Sequence, residues 1–251
     1  MRLSKFALIG TLGLPLLFAA DTAQQRLQDA TEVFRDIMAT PDKGIPSDLI
    51  DKAHCLVVVP GVKQAAFVVG GKYGKGFTVC RRDTNVGWGA PGAVTVEGGS
   101  VGFQIGASST DVIMLVMNER GMRRLLEDKF TIGAEATVAA GPVGRSASAM
   151  TDAQLTADIL SWSRSKGLFA GIALSGATLR NDLDSNQELY GSRLRNNDIL
   201  LTDRKAPAGA SALTELLNHH SWREQSNTPA ETRAKDAVTG EANRSNTTKK
   251  K

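Results

Sequence analysis

Three histidines and two cysteines are all that the 251 residues offer for metal ligation or nucleophile–base chemistry. Cys55 and Cys80 are too few for a structural zinc site. His54, His219 and His220 form no spacing that places a base beside a nucleophile or two ligands on one helix face. The longest apolar run near the start, Phe6 to Phe18, is 13 residues, short of the roughly 20 that a membrane-spanning helix needs. An excess of one charge is also missing where it would matter. The net +4 comes from the two ends: residues 1–20 carry +2 and residues 205–251 carry +3, whereas residues 21–204 hold 20 basic and 21 acidic side chains. A nucleic-acid binder sets its positive charge on the folded face that meets phosphate, so no nucleic-acid partner is expected. No cofactor is expected either, and no internal repeat is present.

The short apolar run does fit an export signal. Met1–Lys5 is a basic n-region, Phe6–Phe18 an apolar h-region, and Ala20 suits the residue before a cleavage site. Residues 1–20 are therefore expected to be a signal peptide. The alternative is an uncleaved interfacial anchor. The expected location is periplasmic or extracellular, with peripheral membrane association. Cys55 and Cys80 fit an oxidising compartment, where they pair if their strands are neighbours; otherwise they are two buried thiols.

What the chain has in quantity is glycine. Of 25 glycines, 12 fall between positions 61 and 106. The run GGSVGFQIGASSTD (98–111) holds four, too many for a helix, where each costs about 1 kcal/mol against alanine. It reads as closely packed β structure. Strands are expected at 55–59, 65–70, 76–81, 92–97, 100–106 and 111–117, with turns at Pro60-Gly61, Gly70-Gly71, Asn85 to Gly87 and Pro91-Gly92. A further strand is expected over Phe130–Ala140 and another over Leu168–Leu174.

Helices frame this β segment. Leu27, Ala30, Phe34, Ile37 and Met38 form one apolar stripe over 22–39, closed by Pro41. Short helices follow over 47–53 and 119–128, the latter capped by Asn118. Thr151 and Gln154 make a capping box for a helix predicted to run to Ser163. A short helix near 185–190 and another at 211–222 complete the set. From Arg223 onward the composition is that of a disordered tail. The reading is α+β: one domain, 21–204, with an antiparallel β core, barrel-like or sandwich, flanked by helices, then a basic tail, 205–251.

Five blocks, in order, resemble the SYLF domain family: CLVVVPGVKQAAFVVGGKYGKG (55–76), GWGAPGAVTVEGGSVGFQIGASSTD (87–111), GPVGR (141–145), WSRSKGLFAG (162–171) and Asn186 with Tyr190-Gly191. The family more often has Ser after the Trp of GWGAP and Tyr in place of the Trp of WSRSKG. The resemblance implies a non-catalytic module that binds phospholipid, of phosphoinositide type, and docks peripherally on membranes. It also implies that the N-terminal amphipathic helix contributes to docking, which nominates Leu27, Phe34, Ile37 and Met38. The alternative is that this stripe packs on the β core. Its polar face favours the alternative, because Asp21–Pro41 carries a net −2 and interfacial helices carry Lys and Arg there.

The basic candidates are Lys72 and Lys75, expected on a glycine-rich hairpin, with Arg81 and Arg82. Lys63, Arg123 and Arg124 belong to the same set. GGKYGKG lacks the spacing and the hydroxyl residue of a phosphate-binding P-loop. Eukaryotic SYLF proteins also bind actin, a partner at odds with export. An envelope scaffold or protein-partner adaptor is the second reading. A remote third is a serine hydrolase: Gly98-Gly99-Ser100-Val101-Gly102 matches G-x-S-x-G, which requires a strand before Ser100 and a helix after it.

Overall fold

Two strands do most of the building. The computed structural model describes residues 22–40, 44–82, 86–142, 150–165, 168–171 and 174–222. Strand β1 (Cys55–Cys80) has 26 residues and β2 (Gly92–Val116) has 25, against about 5–6 for an ordinary strand. They pair antiparallel from Cys55 opposite Val116 to Thr78 opposite Gly92, with register shifts between Val59 and Val62 and between Ala66 and Val68. Stretched straight, β1 would span on the order of 85 Å. Yet its two end residues, Cys55 and Cys80, have Cα atoms 4.0 Å apart. The strand therefore coils back on itself, and the two irregularities supply bends.

Glycine is what lets it close. A Cβ on Gly76 would stand 2.1 Å from the carbonyl oxygen of Val58, and one on Gly74 would stand 2.9 Å from methyls of Val59 and Val62. The last third of β1 lies directly on its first third. The turn expected at Gly70-Gly71 is absent, because β1 runs through it without a break.

The remaining strands extend β2 at both ends. β7 (Thr178–Asn181) pairs with Val94–Glu97 and carries β3 (Lys129–Thr131). β5 (Ile159–Ser165) pairs with Asp111–Val116 and carries β6 (Leu168–Gly171) and, in parallel, β4 (Val138–Ala140). The result is an α+β fold with a curled, half-barrel sheet flanked by helices, as the sequence pattern predicts.

Alternation along the strands explains the unbroken apolar runs. Leu56, Val58, Phe77, Val79, Ile113 and Leu115 enter one core cluster, and Cys55, Val57, Val59, Val112, Met114 and Val116 enter another. Both faces of the sheet are thus buried, one beneath helices and the other inside the curl. Cys55 and Cys80 form a disulfide. They join the two ends of one strand rather than two neighbouring strands.

The helix over the first face is α1 (Ala23–Met38), with Thr22 accepting from the Gln25 N–H as its cap. Short α2 (Ser47–Lys52) follows it. α3 (Glu119–Leu125) is capped by Asn118 as expected. The Thr151–Gln154 capping box forms, but α4 (Asp152–Thr156) ends after five residues. Residues 159–163, predicted helical, belong to strand β5, because four consecutive buried residues there fill both sides of the sheet. The expected strand over 130–140 splits into β3 and β4 around Gly133, whose φ is +87°. α5 (Leu183–Tyr190), α6 (Asn197–Leu200) and α7 (Ser211–His220) complete the order.

Helix α7 moves the domain boundary. Leu213 and Leu217 are fully buried in the same cluster as the α1 stripe. The folded body therefore continues past 204, to Trp222 at least.

Asp158, just before β5, is completely buried. It accepts from the Arg120 guanidinium at 2.8 Å and from the Thr137 N–H and O–H at 2.7 and 2.8 Å. Burial pushes its carboxyl up, but these donors outweigh burial and hold it down at about 2.

Candidate functional site

The nominated residues separate into four places. Leu27, Phe34 and Ile37 are buried against the β core, and Met38 is half-buried on its margin. The apolar stripe is therefore covered, which corrects the expectation that it faces a membrane. Polar contacts fasten α1 as well. The Ala23 N–H donates to Glu188 Oε1 at 2.9 Å, and Arg26 donates to Ser185 Oγ at 2.7 Å. Arg164 reaches Asp36 at 2.8 Å and Asp111 at 3.0 Å, tying α1 to the sheet.

Arg81 is buried, not a surface cation. Its guanidinium donates to the carbonyl oxygens of Ala53, Ile50 and Ser221 and to Ser221 Oγ, and stacks 4.3 Å from the centre of the Trp88 ring. A desolvated cation over an aromatic face is favourable, and here it pins the end of α7 to the closure of β1. The neighbouring Arg82 stays exposed, beside residues 202–206. Arg123 and Arg124 pair along α3 with Glu119 and Glu127.

The third place is the coiled ridge of β1. Lys72 lies opposite Gly98 and Lys63 opposite Ser109 in the β1–β2 register. Because β1 doubles back, these segments meet: Lys63, Ala65, Gly71, Lys72, Tyr73 and Ser109 line one recess of about 620 Å³. A second recess of about 330 Å³ adjoins it, reached by Arg26, Lys63, Tyr73 and Lys75. Lys75 is half-engaged, pairing at 2.8 Å with Asp182. Burial pushes the Asp182 carboxyl up, while Lys75 and Ser185 more than offset this and hold it below the usual range. Tyr73 is 46% exposed, one of few large apolar side chains so presented among the described residues. Sequence reading passed over it. The signal was its position between two lysines in GGKYGKG.

Ser100 occupies the fourth place. It sits inside β2, opposite Gly70, and strand continues on both sides. The helix that a nucleophile elbow requires after the serine is replaced by strand, which removes the geometric basis of the hydrolase reading. His219 and His220 stack edge to face on α7, and His220 packs against Phe34. Among the described residues no grouping of three or more His, Cys, Asp or Glu could hold a metal ion.

Other described residues of the blocks that carry the family resemblance are framework. Asp111 accepts the Gly61 N–H at 2.9 Å where β1 bends. Gly141 leaves no room for a side chain beneath Trp162, whose indole N–H donates to Pro142 O at 2.8 Å. Asn186 accepts from the Ala93 N–H and donates to Leu194 O, both at 2.8 Å. The Tyr190 hydroxyl donates to Pro91 O at 2.6 Å, and Gly191 caps α5 with a φ of +73°. Burial pushes the Tyr190 phenol up.

Residues 97–220 match the family model Ysc84, described as "Las17-binding protein actin regulator". The chain is 35% identical over 179 residues to "SH3 domain-containing YSC84-like protein 1" of Rattus norvegicus, covering 71% of this chain and 52% of that protein. It is 34% identical over 179 residues to the Homo sapiens protein of the same name, with the same coverage. It is 30% identical over 184 residues to "Protein YSC84" of Saccharomyces cerevisiae, covering 72% of this chain and 39% of that one. The chain belongs to the SYLF family. It spans about half the length of the mammalian relatives it matches. In this SYLF domain the motif blocks build the coil of β1 and β2, while the ridge they hold up presents lysines and an exposed tyrosine.

Proposed function

We propose that this SYLF domain is a non-catalytic module that docks peripherally on anionic membranes through the β1 ridge. The observation that carries the reading is Tyr73, which is exposed and lines the larger recess together with Lys63 and Lys72. A tyrosine ring with an apolar body and a wet tip suits the headgroup region. Each basic side chain near an anionic surface contributes about 1 kcal/mol. With Lys75 partly spent on Asp182, the ridge offers a contact that is reversible and salt-sensitive.

Export remains part of the proposal. The leader-like residues 1–20 lie outside the described residues, and a disulfide suits an oxidising compartment. No described helix is long and apolar enough to cross a membrane. A second reading, a protein-partner module, draws support from the family description, which names an actin regulator that binds Las17.

Sedimentation of the full chain with vesicles tests the first reading. Binding is expected to vesicles containing phosphatidylserine, not to pure phosphatidylcholine, and to be lost near 0.5 M salt through screening. Lys63→Glu with Lys72→Glu is expected to weaken it at least tenfold, roughly 1 kcal/mol or more per site. Equal binding by wild type and this variant would sink the ridge, and no binding to either vesicle would favour the protein partner.

A further inference from the structure

The geometry points to a second site, distinct from the β1 ridge: a phosphate-binding recess between Arg82 with Trp88 and Gly89 and the segment after α6. It is a cleft of about 430 Å³. One wall is Arg82 with Trp88 and Gly89, the other is Arg204 and Lys205, and Thr214 of α7 also lines it. All three cations are exposed. Among the described residues no ion pair engages them, in contrast to Arg120, Arg123, Arg124, Arg164, Arg180, Arg193 and Arg195, each of which has a carboxylate partner. One acid, Asp203, lines the same cleft.

Three cations against one carboxylate leave an excess of two positive charges, which matches the roughly −1.5 to −2 of a phosphate monoester. Two of the three are arginines, whose planar forks take phosphate oxygens in pairs. The walls stand on fixed elements. Arg82 follows the buried Arg81 directly, and the Arg82 N–H donates to Gly87 O at 3.4 Å. Gly89 is held by its N–H donating to Cys80 O at 2.9 Å and by accepting from the Thr214 hydroxyl. An exposed aromatic lies against the residue before Trp88: Trp222 is 58% exposed and packs on Gly87, where a Cβ would meet its ring at 2.8 Å. Gly87 has φ +65°, so the backbone there suits glycine on two counts.

The ligand class is therefore a phosphate monoester, and it has two sources: a soluble phosphate ester, or the headgroup of a lipid such as phosphatidic acid. Of these the recess reads the shared group, −PO₃²⁻. The exposed Trp222 beside it gives a lipid source an interfacial contact that a soluble ester does not use.

Calorimetry on the full chain with glycerol 3-phosphate, together with sedimentation with phosphatidic-acid vesicles in phosphatidylcholine, tests the assignment. Arg82→Ala with Arg204→Ala is expected to weaken at least one of the two by about tenfold or more, the loss of charge-assisted hydrogen bonds. The melting temperature should be unchanged, because both side chains are exposed. Arg204→Glu alone should give a comparable loss. Lys63→Glu with Lys72→Glu should leave glycerol 3-phosphate binding as it was, which separates this site from the ridge. Binding to both probes identifies a site open to free esters, and binding to vesicles alone identifies a lipid headgroup site. Binding of both probes unchanged in the double variant, or no binding of either probe by wild type, overturns the inference. So does an unphosphorylated acidic hexapeptide that binds as tightly as the phosphate probes, which would make the cleft a protein contact.

Discussion

Phe34→Ala is expected to destabilise the domain by about 3–5 kcal/mol, the cost of emptying a large aromatic site in a packed core. For a domain of this size that corresponds to a fall in melting temperature of the order of 10 °C. Phe34 has no exposure and sits edge-on to His220, with Leu27, Ile37, Leu213 and Leu217 in the same cluster. The result separates two roles for α1. A helix whose stripe met lipid would lose vesicle binding on truncation and keep its melting temperature. A helix that is core loses stability, and whatever remains folded binds vesicles as before. Calorimetric melting of Phe34→Ala, paired with vesicle sedimentation well below its transition, reads both quantities. Met38→Ala is the control: half-buried at the margin, it should cost clearly less. An unchanged melting temperature in Phe34→Ala would contradict the placement of α1 as core.

Removing the disulfide is the second large effect. Cys55→Ala with Cys80→Ala is expected to lower stability by about 3 kcal/mol, from the loop entropy released when residues 25 apart in sequence are no longer joined. The fold should survive, since other contacts close the same point. The Arg81 N–H donates to His54 O at 2.9 Å, and its guanidinium grips Ala53 and Ile50. Urea denaturation should show an earlier midpoint, with a slope no smaller than that of wild type because the unfolded chain is less constrained. A midpoint equal to wild type would mean that the Arg81 contacts suffice to close β1 and that the cross-link adds nothing.

Much of this fold was legible in the sequence, and the gaps have physical causes. The bounds of α1, the caps Asn118 and Thr151, and the strands beginning at Cys55 and ending at Val116 follow from local periodicity and capping. The continuity of β1 does not. Pro60-Gly61 and Gly70-Gly71 carry the composition of turns, whereas the reason for Gly74 and Gly76 lies at Val58, Val59 and Val62, 12 to 18 residues back, in a chain that crosses itself. The same holds for Ile159–Ser165. Its capping box is real, but pairing with Asp111–Val116 overrides helix propensity once Thr156 is passed.

Arg81 shows the limit most clearly. As sequence it is one of two adjacent arginines and reads as surface. Its hydrogen-bond partner Ser221 is 140 residues away, and no local pattern announces a buried guanidinium. Lys72 and Lys75 stand on a coiled strand and not on the hairpin that the glycines around them suggest. The exposure of Tyr73 is not legible in the sequence, because a single exposed aromatic has no periodicity to betray it. The apolar stripe of α1 was read correctly as a stripe. Only the fold decides what covers it, and here it is β1 and α7.

The central claim, that the β1 ridge and Tyr73 meet lipid, is tested most directly by placing a reporter at that position. In the full chain with Tyr73→Trp and Trp222→Phe, the remaining natural tryptophans, Trp88 and Trp162, are buried. Added phosphatidylserine vesicles should shift the emission to shorter wavelength, and vesicles with brominated acyl chains should quench it, both lost near 0.5 M salt as screening weakens the lysine contacts. Vesicle binding with neither shift nor quenching would show that another surface docks, and the ridge would have to be given up.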